Sequence, residues 1–581
     1  MPEAADGVKV HSKRLALHPA VDDLACHVVK DHFGELCERV LRALLKRSAS
    51  SFLELQSALC VQSKSSRVSD SGLNAAPILL TSKDVRSALL VLLQHSCVFA
   101  RVPVTLGNER PKPPVYRVDL HSILFRLRHA ACLELTAEKH RNKRIQKTSN
   151  IEDKEDLLPS HEEAIISLLL EYGRLRLEQV TTGVEKLLGE ANAGAQQVEQ
   201  AFAGLVAAHF VEQSPPCNLP DLPTPIHPNA QPRKTSKANQ DEKERQDAQA
   251  IAARALKTAA DTRFTIPGQK PAPTANGNVK AGMKRKLESV TSPLDSLSPE
   301  STGLWQLCKS QFLTDFRYAA CAKFIGDRQE GRAEVVVQGL LRAASPPWTG
   351  DAGAEKTSRP VTPAQVLAAA RQVPEAAGLS ATDVSAALEQ LKSSGDGYVL
   401  PCLEQGAFYV DLDRTVSAIQ EDELEAHLQS RFGTHGLRIW RMLRQHGQLE
   451  ENKIADCALM PPKEARTILY ALLASGFVTV QDIPKGADRA ASRMFWTWRA
   501  NVPEGKAVLC QHLAKGVLNL RLRLAYESDQ LKEVTALYLQ RGKHGLTDSQ
   551  HDALLSLKNK QTVCEARVLR LQPLLSLFFS F

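Results

Sequence analysis

Four times along this chain, apolar residues recur at positions i, i+3, i+4 and i+7 just ahead of a short β-rich segment. The stripes are Val85, Ala88, Leu89 and Leu92; Val198, Ala201, Phe202 and Leu205; Val384, Ala387, Leu388 and Leu391; and Ala465, Ile468, Leu469 and Leu472. Such spacing puts one apolar face on an α-helix. Strand signals follow each stripe: Cys97 to Val102 with Val115 to Leu120, then Phe210-Val211, then Tyr398 to Leu400 with Phe408 to Leu412, and last Phe477 to Gln481 with Met494 to Arg499. Further helical patterns precede every stripe. Helices followed by a hairpin give the order of the winged form of the helix-turn-helix, a module for nucleic acid or for protein docking. The pattern therefore predicts a mainly α protein with small β-hairpin wings, built as four tandem winged-helix modules of uneven spacing rather than a solenoid.

The last unit is the clearest. Leu437, Trp440 and Leu443 mark its first helix and Ile454, Ala455 and Ala458 its second, and Pro461-Pro462 opens the third, where proline suits the first turn. Opposite its apolar stripe lie Lys463, Arg466, Thr467 and Tyr470, and Trp496 and Trp498 share a face of the returning strand. Beyond Pro503 two long patterns, Leu509 to Leu524 and Leu554 to Leu571, predict a helical hairpin or short coiled coil, ending in the unusually apolar Leu574 to Phe581. The expected domains are 20–135, winged helix 1; 155–213, the first part of winged helix 2; 214–302, a disordered insertion; 303–330, the end of winged helix 2; 331–415, winged helix 3; 420–500, winged helix 4; and 505–581, the C-terminal helical hairpin or coiled coil. The insertion holds seven prolines between Pro215 and Pro232 and a single aromatic, Phe264, so it is expected to build no core. Within it Lys284-Arg285-Lys286 has the look of an import signal, and Ser292-Pro293 and Ser298-Pro299 that of phosphorylation sites; both signals are weak, and solvated linker positions account for them better.

With 581 residues and a formal charge of +8, the chain suits several domains and a polyanionic partner, although the charge alone decides little. No run of 18 apolar residues occurs, and the acidic start, with Glu3 and Asp6, is unlike a signal peptide, so a soluble, intracellular protein without membrane contact is expected. Twelve cysteines, none in a C-x-x-C, read as reduced thiols, with Cys60, Cys97 and Cys457 packed among apolar neighbours. Neither G-x-x-x-x-G-K-[ST], G-x-G-x-x-G nor H-E-x-x-H is present, and His161-Glu162-Glu163 lacks the second histidine that zinc would need. No catalytic residue, metal site or cofactor is expected. His95 and His209 occupy equivalent positions at the ends of third helices, where the helix dipole favours a polar or cationic group.

The run from Ile454-Ala455-Asp456-Cys457-Ala458-Leu459-Met460-Pro461-Pro462-Lys463 through Leu469-Tyr470 and Val480-Gln481-Asp482-Ile483-Pro484 to Ser492-Arg493-Met494-Phe495 resembles the last winged helix of the RPC-three type of subunit of DNA-directed RNA polymerase III. This family is itself similar to the alpha chain of general transcription factor E. The resemblance extends to His32-Phe33-Gly34-Glu35, Leu93-Gln94-His95, His209-Phe210-Val211, Trp305-Gln306 and Arg431-Phe432-Gly433. It implies a nuclear, non-catalytic subunit, the largest of a three-protein initiation subcomplex. Its implied partners are the two other members of that subcomplex, the clamp of the largest polymerase subunit, promoter-bound initiation factors and DNA.

The residues themselves leave two readings: a polymerase subunit with some sequence-independent DNA contact, or a scaffold of the cullin or protease-regulator kind that holds only proteins. The candidate contact residues are Lys463, Arg466, Tyr470, Arg489, Arg493 and Arg499, on the outward face of the last third helix or on its wing. Five of them are cations that could neutralise phosphates. Base reading is not expected, because Arg466 stands in the first turns without an Asn or Gln beside it.

Overall fold

A computed structural model describes the chain from Pro19 to Phe581, outside residues 66–79, 104–112, 148–159, 190–193, 222–249, 267–302, 345–354, 372–377, 485–493 and a few shorter stretches. It is mainly helical with small antiparallel hairpins, and its buried side chains gather into four large clusters, each built around one of the four stripes.

The first cluster takes α1 (Pro19–Phe33), α2 (Glu35–Arg47), α3 (Phe52–Ser65) and α4 (Ser82–Gln94). Thr81 and Asp84 start α4 reciprocally, each side chain accepting from the other's backbone N–H. A hairpin of β2 (Val98–Pro103) and β3 (Val115–Val118) follows, with β1 (Ser50–Ser51) on the outer side of β3. A connector, α5 (Leu120–Phe125) and α6 (His129–Lys147), leads to α7 (His161–Tyr172), α8 (Leu177–Leu188) and α9 (Ala195–Ala207) of the second cluster. Its wing is split. Strand β4 (Val211–Gln213) pairs with β6 (Trp305–Leu307), although residues 214–304 lie between them in sequence, in the register Val211 to Leu307 and Gln213 to Trp305.

Parts of the intervening segment, expected to build no core, are packed. Strand β5 (Pro220–Asp221) runs parallel beside β2, adding to the sheet of the first cluster. A helix over 252–262, α10, leads to Phe264 and Ile266, which lie against the second cluster, and Arg263 pairs with Glu212 of β4. Composition misled here because a few anchors, supplied with a ready-made surface, need no core of their own. The tribasic run and the two Ser-Pro pairs lie outside the described residues.

Helix α11 (Lys309–Arg328) belongs to two clusters: Phe312 and Leu313 complete the second, while Tyr318, Cys321, Ala322 and Ile325 enter the third. There they meet α12 (Ala333–Ala344), α13 (Pro363–Ala370), α14 (Ala381–Ser393) and the hairpin β7 (Val399–Cys402) and β8 (Ala407–Val410). Helix α15 (Leu412–His446) leaves the third cluster, bends at Gly433 with a φ of +70°, and enters the fourth. Strand β9 (Gln448–Glu450), α16 (Glu451–Cys457) and α17 (Pro462–Ala474) follow, then β10 (Val478–Pro484) and β11 (Met494–Ala500), with β9 pairing to β11 as a third strand.

The C-terminal helices α18 (Val502–Gln530) and α20 (Asp548–Ser580), joined through α19 (Lys532–Arg541), pack against each other and turn back along the molecule. Cys510, Ala514 and Val517 of α18, with Val568 and Leu575 of α20, are buried in the first cluster, beside α1. The apolar end docks on the protein itself. Leu577 is buried in the third cluster, Phe581 packs on the second and third, and Phe578 on the first and fourth. Gln420 of α15 fixes this end by donating to the Leu577 carbonyl at 2.9 Å, and the Arg317 guanidinium lies over the Phe581 ring.

Candidate interface on the last module

Helix α17 turns Ala465, Leu469 and Leu472 inward, with Ile468 half-buried, and presents Lys463, Arg466, Thr467 and Tyr470 outward, in the phase that the stripe predicts. Pro462 occupies its first turn. Arg466 is exposed, but Nε donates to Glu451 Oε1 at 2.6 Å, so its charge is already answered. Tyr470, 56% exposed, meets Trp498 edge to face at 5.4 Å. Arg499 is exposed on β11, in register with Thr479 of β10 and Gln448 of β9. Arg489 and Arg493 lie outside the described residues.

The two strand tryptophans, which share a face of the returning strand, part company. Trp498 is 3% exposed over the core, whereas Trp496 is 54% exposed. The ladder continues from Val480–Trp498 to Pro484–Met494, and in this outer part of the hairpin, where Trp496 stands opposite Asp482, burial falls away. Ile483 and Phe495, opposite each other, are exposed at the same end, and Leu459 in the turn between α16 and α17 is exposed too. Alternation in sequence gives the face of a strand residue but not where the covering layer stops, which is why this apolar wing was not foreseen.

Across β9 to β10 and β11, the described residues hold four cations, Lys453, Lys463, Arg466 and Arg499, against five acids, Glu450, Glu451, Asp456, Glu464 and Asp482. The helix face is thus not a basic stripe. Positive excess lies in 485–493, where the sequence has Lys485, Arg489 and Arg493 against Asp488.

Other expectations shift as well. Cys97 is buried and burial pushes its thiol up to about 11, but Cys457 is exposed, on the outward side of α16 whose Ile454, Ala455 and Ala458 point in. The side chain of Cys60 lies outside the described residues. His95 does sit at the C-cap of α4, yet burial and the nearby Arg126 charge push it down to about 4, so it is neutral at pH 7 and gains nothing as a cation from the dipole. His209, at a φ of +60°, stacks on Phe264 at 3.6 Å. Among the described residues no group of three or more His, Cys, Asp or Glu side chains could hold a metal, and no helix is long and apolar enough to cross a membrane.

Comparison with known proteins finds a winged-helix family at the last module and relatives along most of the chain. A family described as "POLR3C, C-terminal winged-helix domain" matches residues 424–500, which run from within α15 to the end of β11. The human DNA-directed RNA polymerase III subunit RPC3 is 23% identical over 520 residues, 87% of this chain and 84% of its own length. The mouse subunit RPC3 is 26% identical over 383 residues, covering 64% of this chain and 67% of that protein. The subunit rpc3 of Dictyostelium discoideum is 22% identical over 261 residues, 43% of this chain and 39% of its own.

Proposed function

We propose, from the premise that this chain is an RPC3-type, non-catalytic subunit of DNA-directed RNA polymerase III, that it is the largest member of a three-protein initiation subcomplex which docks on the polymerase clamp, meets promoter-bound factors and helps to open or hold DNA in the nucleus. The observation that carries the reading is the likeness to the human RPC3 subunit along 87% of the chain. In this reading the last module divides its work. The near-neutral face of α17 and the exposed Ile483, Phe495 and Trp496 suit a protein partner, since apolar and aromatic side chains anchor interfaces while charges are depleted from their centres. DNA contact falls to the cations of 485–493, between β10 and β11 in sequence, binding phosphates without reading sequence.

Tagged protein purified from nuclear extract at moderate salt is expected to bring down the large polymerase III subunits in stoichiometric amounts, together with two smaller partners. Recovery of ubiquitin-ligase or protease-regulator components in their place overturns the reading in favour of a scaffold.

A further inference from the structure

Between the first and second clusters lies a small cavity, its wall more apolar than polar, into which a few charged and polar groups converge and which the last module's role leaves unused. It is lined by His95 and Ser96 at the end of α4, by Ser122, Arg126 and His129 from the α5–α6 connector, and by Lys309, the first residue of α11. No carboxylate lines it among the described residues.

Neither of the acids whose fields reach Lys309, Asp119 and Glu212, pairs with it directly. Lys309 donates to the Ser122 hydroxyl, and that hydroxyl in turn donates to Asp119, which caps α5 by accepting from the Ser122 N–H at 3.1 Å. Glu212 receives Arg263 and Gln306. Arg126 lies 4.6 Å from the centroid of the Phe33 ring, and its buried Nε, like the buried Nδ1 of His95, has no hydrogen-bond partner among the described residues. Burying cations and donors unanswered is costly. The neighbourhood registers that cost: burial lowers the pKa of both Arg126 and Lys309, and burial with the Arg126 charge drives His129 down to about 3.

We infer that this cavity binds a single small tetrahedral oxyanion of the phosphate or sulfate class. Lys309 and Arg126 supply the charge, His95 as its Nδ1–H tautomer and His129 supply neutral donors, and the N-terminus of the 20-residue helix α11 adds its dipole. Because the donors come from α4, the connector and α11, the bound ion fixes how the first module sits on the second. The source is either the free ion or the terminal phosphate of a nucleotide, which present the same oxygens.

The test is calorimetric titration of sodium phosphate into the full chain at pH 7, in chloride buffer of matched ionic strength. Saturable binding is expected, at least about tenfold weaker in Lys309→Gln and unchanged in Lys392→Gln, an exposed lysine paired with Glu389. Displacement of phosphate by ADP assigns the nucleotide source, and failure of ADP to displace it assigns the free ion. Absence of saturable binding to the unaltered chain, or equal affinity in Lys309→Gln, overturns the proposal. Should Lys309→Gln not fold, crystals of the unaltered protein grown in selenate decide: an anomalous selenium peak between Lys309 and Arg126 is expected, and its absence overturns the site.

Discussion

Arg466 of α17 donates through Nε to Glu451 at the start of α16, 2.6 Å away, so the most prominent cation of the outward helix face is already spoken for by its own module. A phosphate would have to compete with that carboxylate. The exposed pair is worth about 0–1 kcal/mol, so Arg466→Glu leaves folding intact. Transcription by polymerase carrying Arg466→Glu is expected to stay near normal at two salt concentrations, whereas Arg493→Glu weakens DNA retention similarly on different promoters and more at higher salt. The check is co-purification followed by transcription. Equal salt-dependent defects in the two variants would return the DNA-binding role to the helix.

Removing Leu574 to Phe581 is expected to destabilise modules hundreds of residues away. Leu575 is buried in the first cluster and Leu577 in the third, and truncating one buried leucine to alanine typically costs about 2–5 kcal/mol. Denaturant unfolding of the full chain lacking these eight residues should begin earlier, with new protease cuts in α18 and α20. An unchanged midpoint would mean that the end packs too loosely to matter.

The four stripes were legible because an i, i+3, i+4, i+7 repeat is local: the residues that define it also form the helix that it predicts. Val85, Val198, Val384 and Ala465 all turn out buried on that account. What the sequence hid depends on partners far along the chain. Phe581 is an exposed terminus on paper and a packed ring in the fold, because Arg317 and the second and third clusters come to meet it. Trp496 and Cys457 erred the other way, apolar in sequence but reaching past the layer that would cover them. Of the six candidate contact residues, the outward placement of Lys463, Arg466, Tyr470 and Arg499 could be read from helix phase and strand position; the answering Glu451 could not, since it comes from another helix.

The long segment before β6 should split into a dispensable part and a necessary one. Deleting 267–302 and joining the ends with a flexible linker is expected to leave the unfolding transition within about 0.5 kcal/mol, as for changes away from packed features. Deleting 252–266 removes Phe264 and Ile266 from the second cluster and leaves Glu212, itself buried, without Arg263. Loss of one partner of a largely buried pair costs up to about 3–5 kcal/mol, so this deletion should lower the midpoint clearly. Thermal melts of the two deletions, side by side, make the comparison, and equal behaviour would remove the structural role assigned to α10.

Acid sensitivity should trace to the cavity histidines. In the fold, burial and the Arg126 charge push His95 down to about 4 and His129 down to about 3, below the ordinary value of 6.5 that they regain on unfolding. Below pH 6.5 the unfolded chain therefore binds protons that the folded chain refuses, and stability falls with pH down to about 3, where the folded state is protonated too. Asp22 works in the opposite direction: burial, with Asp23 beside it, raises its pKa from 3.8 to about 6, so between these values the folded chain binds the extra proton and gains stability as pH drops. Two histidines outweigh one aspartate, and the net acid limb should slope downward from pH 6.5. Replacing both histidines with asparagine is expected to flatten that slope in phosphate-free buffer, while Asp22→Asn steepens it. Unfolding midpoints at pH 7, 6, 5 and 4 measure both, and a slope that the double replacement leaves unchanged would show that the two imidazoles are not held neutral in the fold.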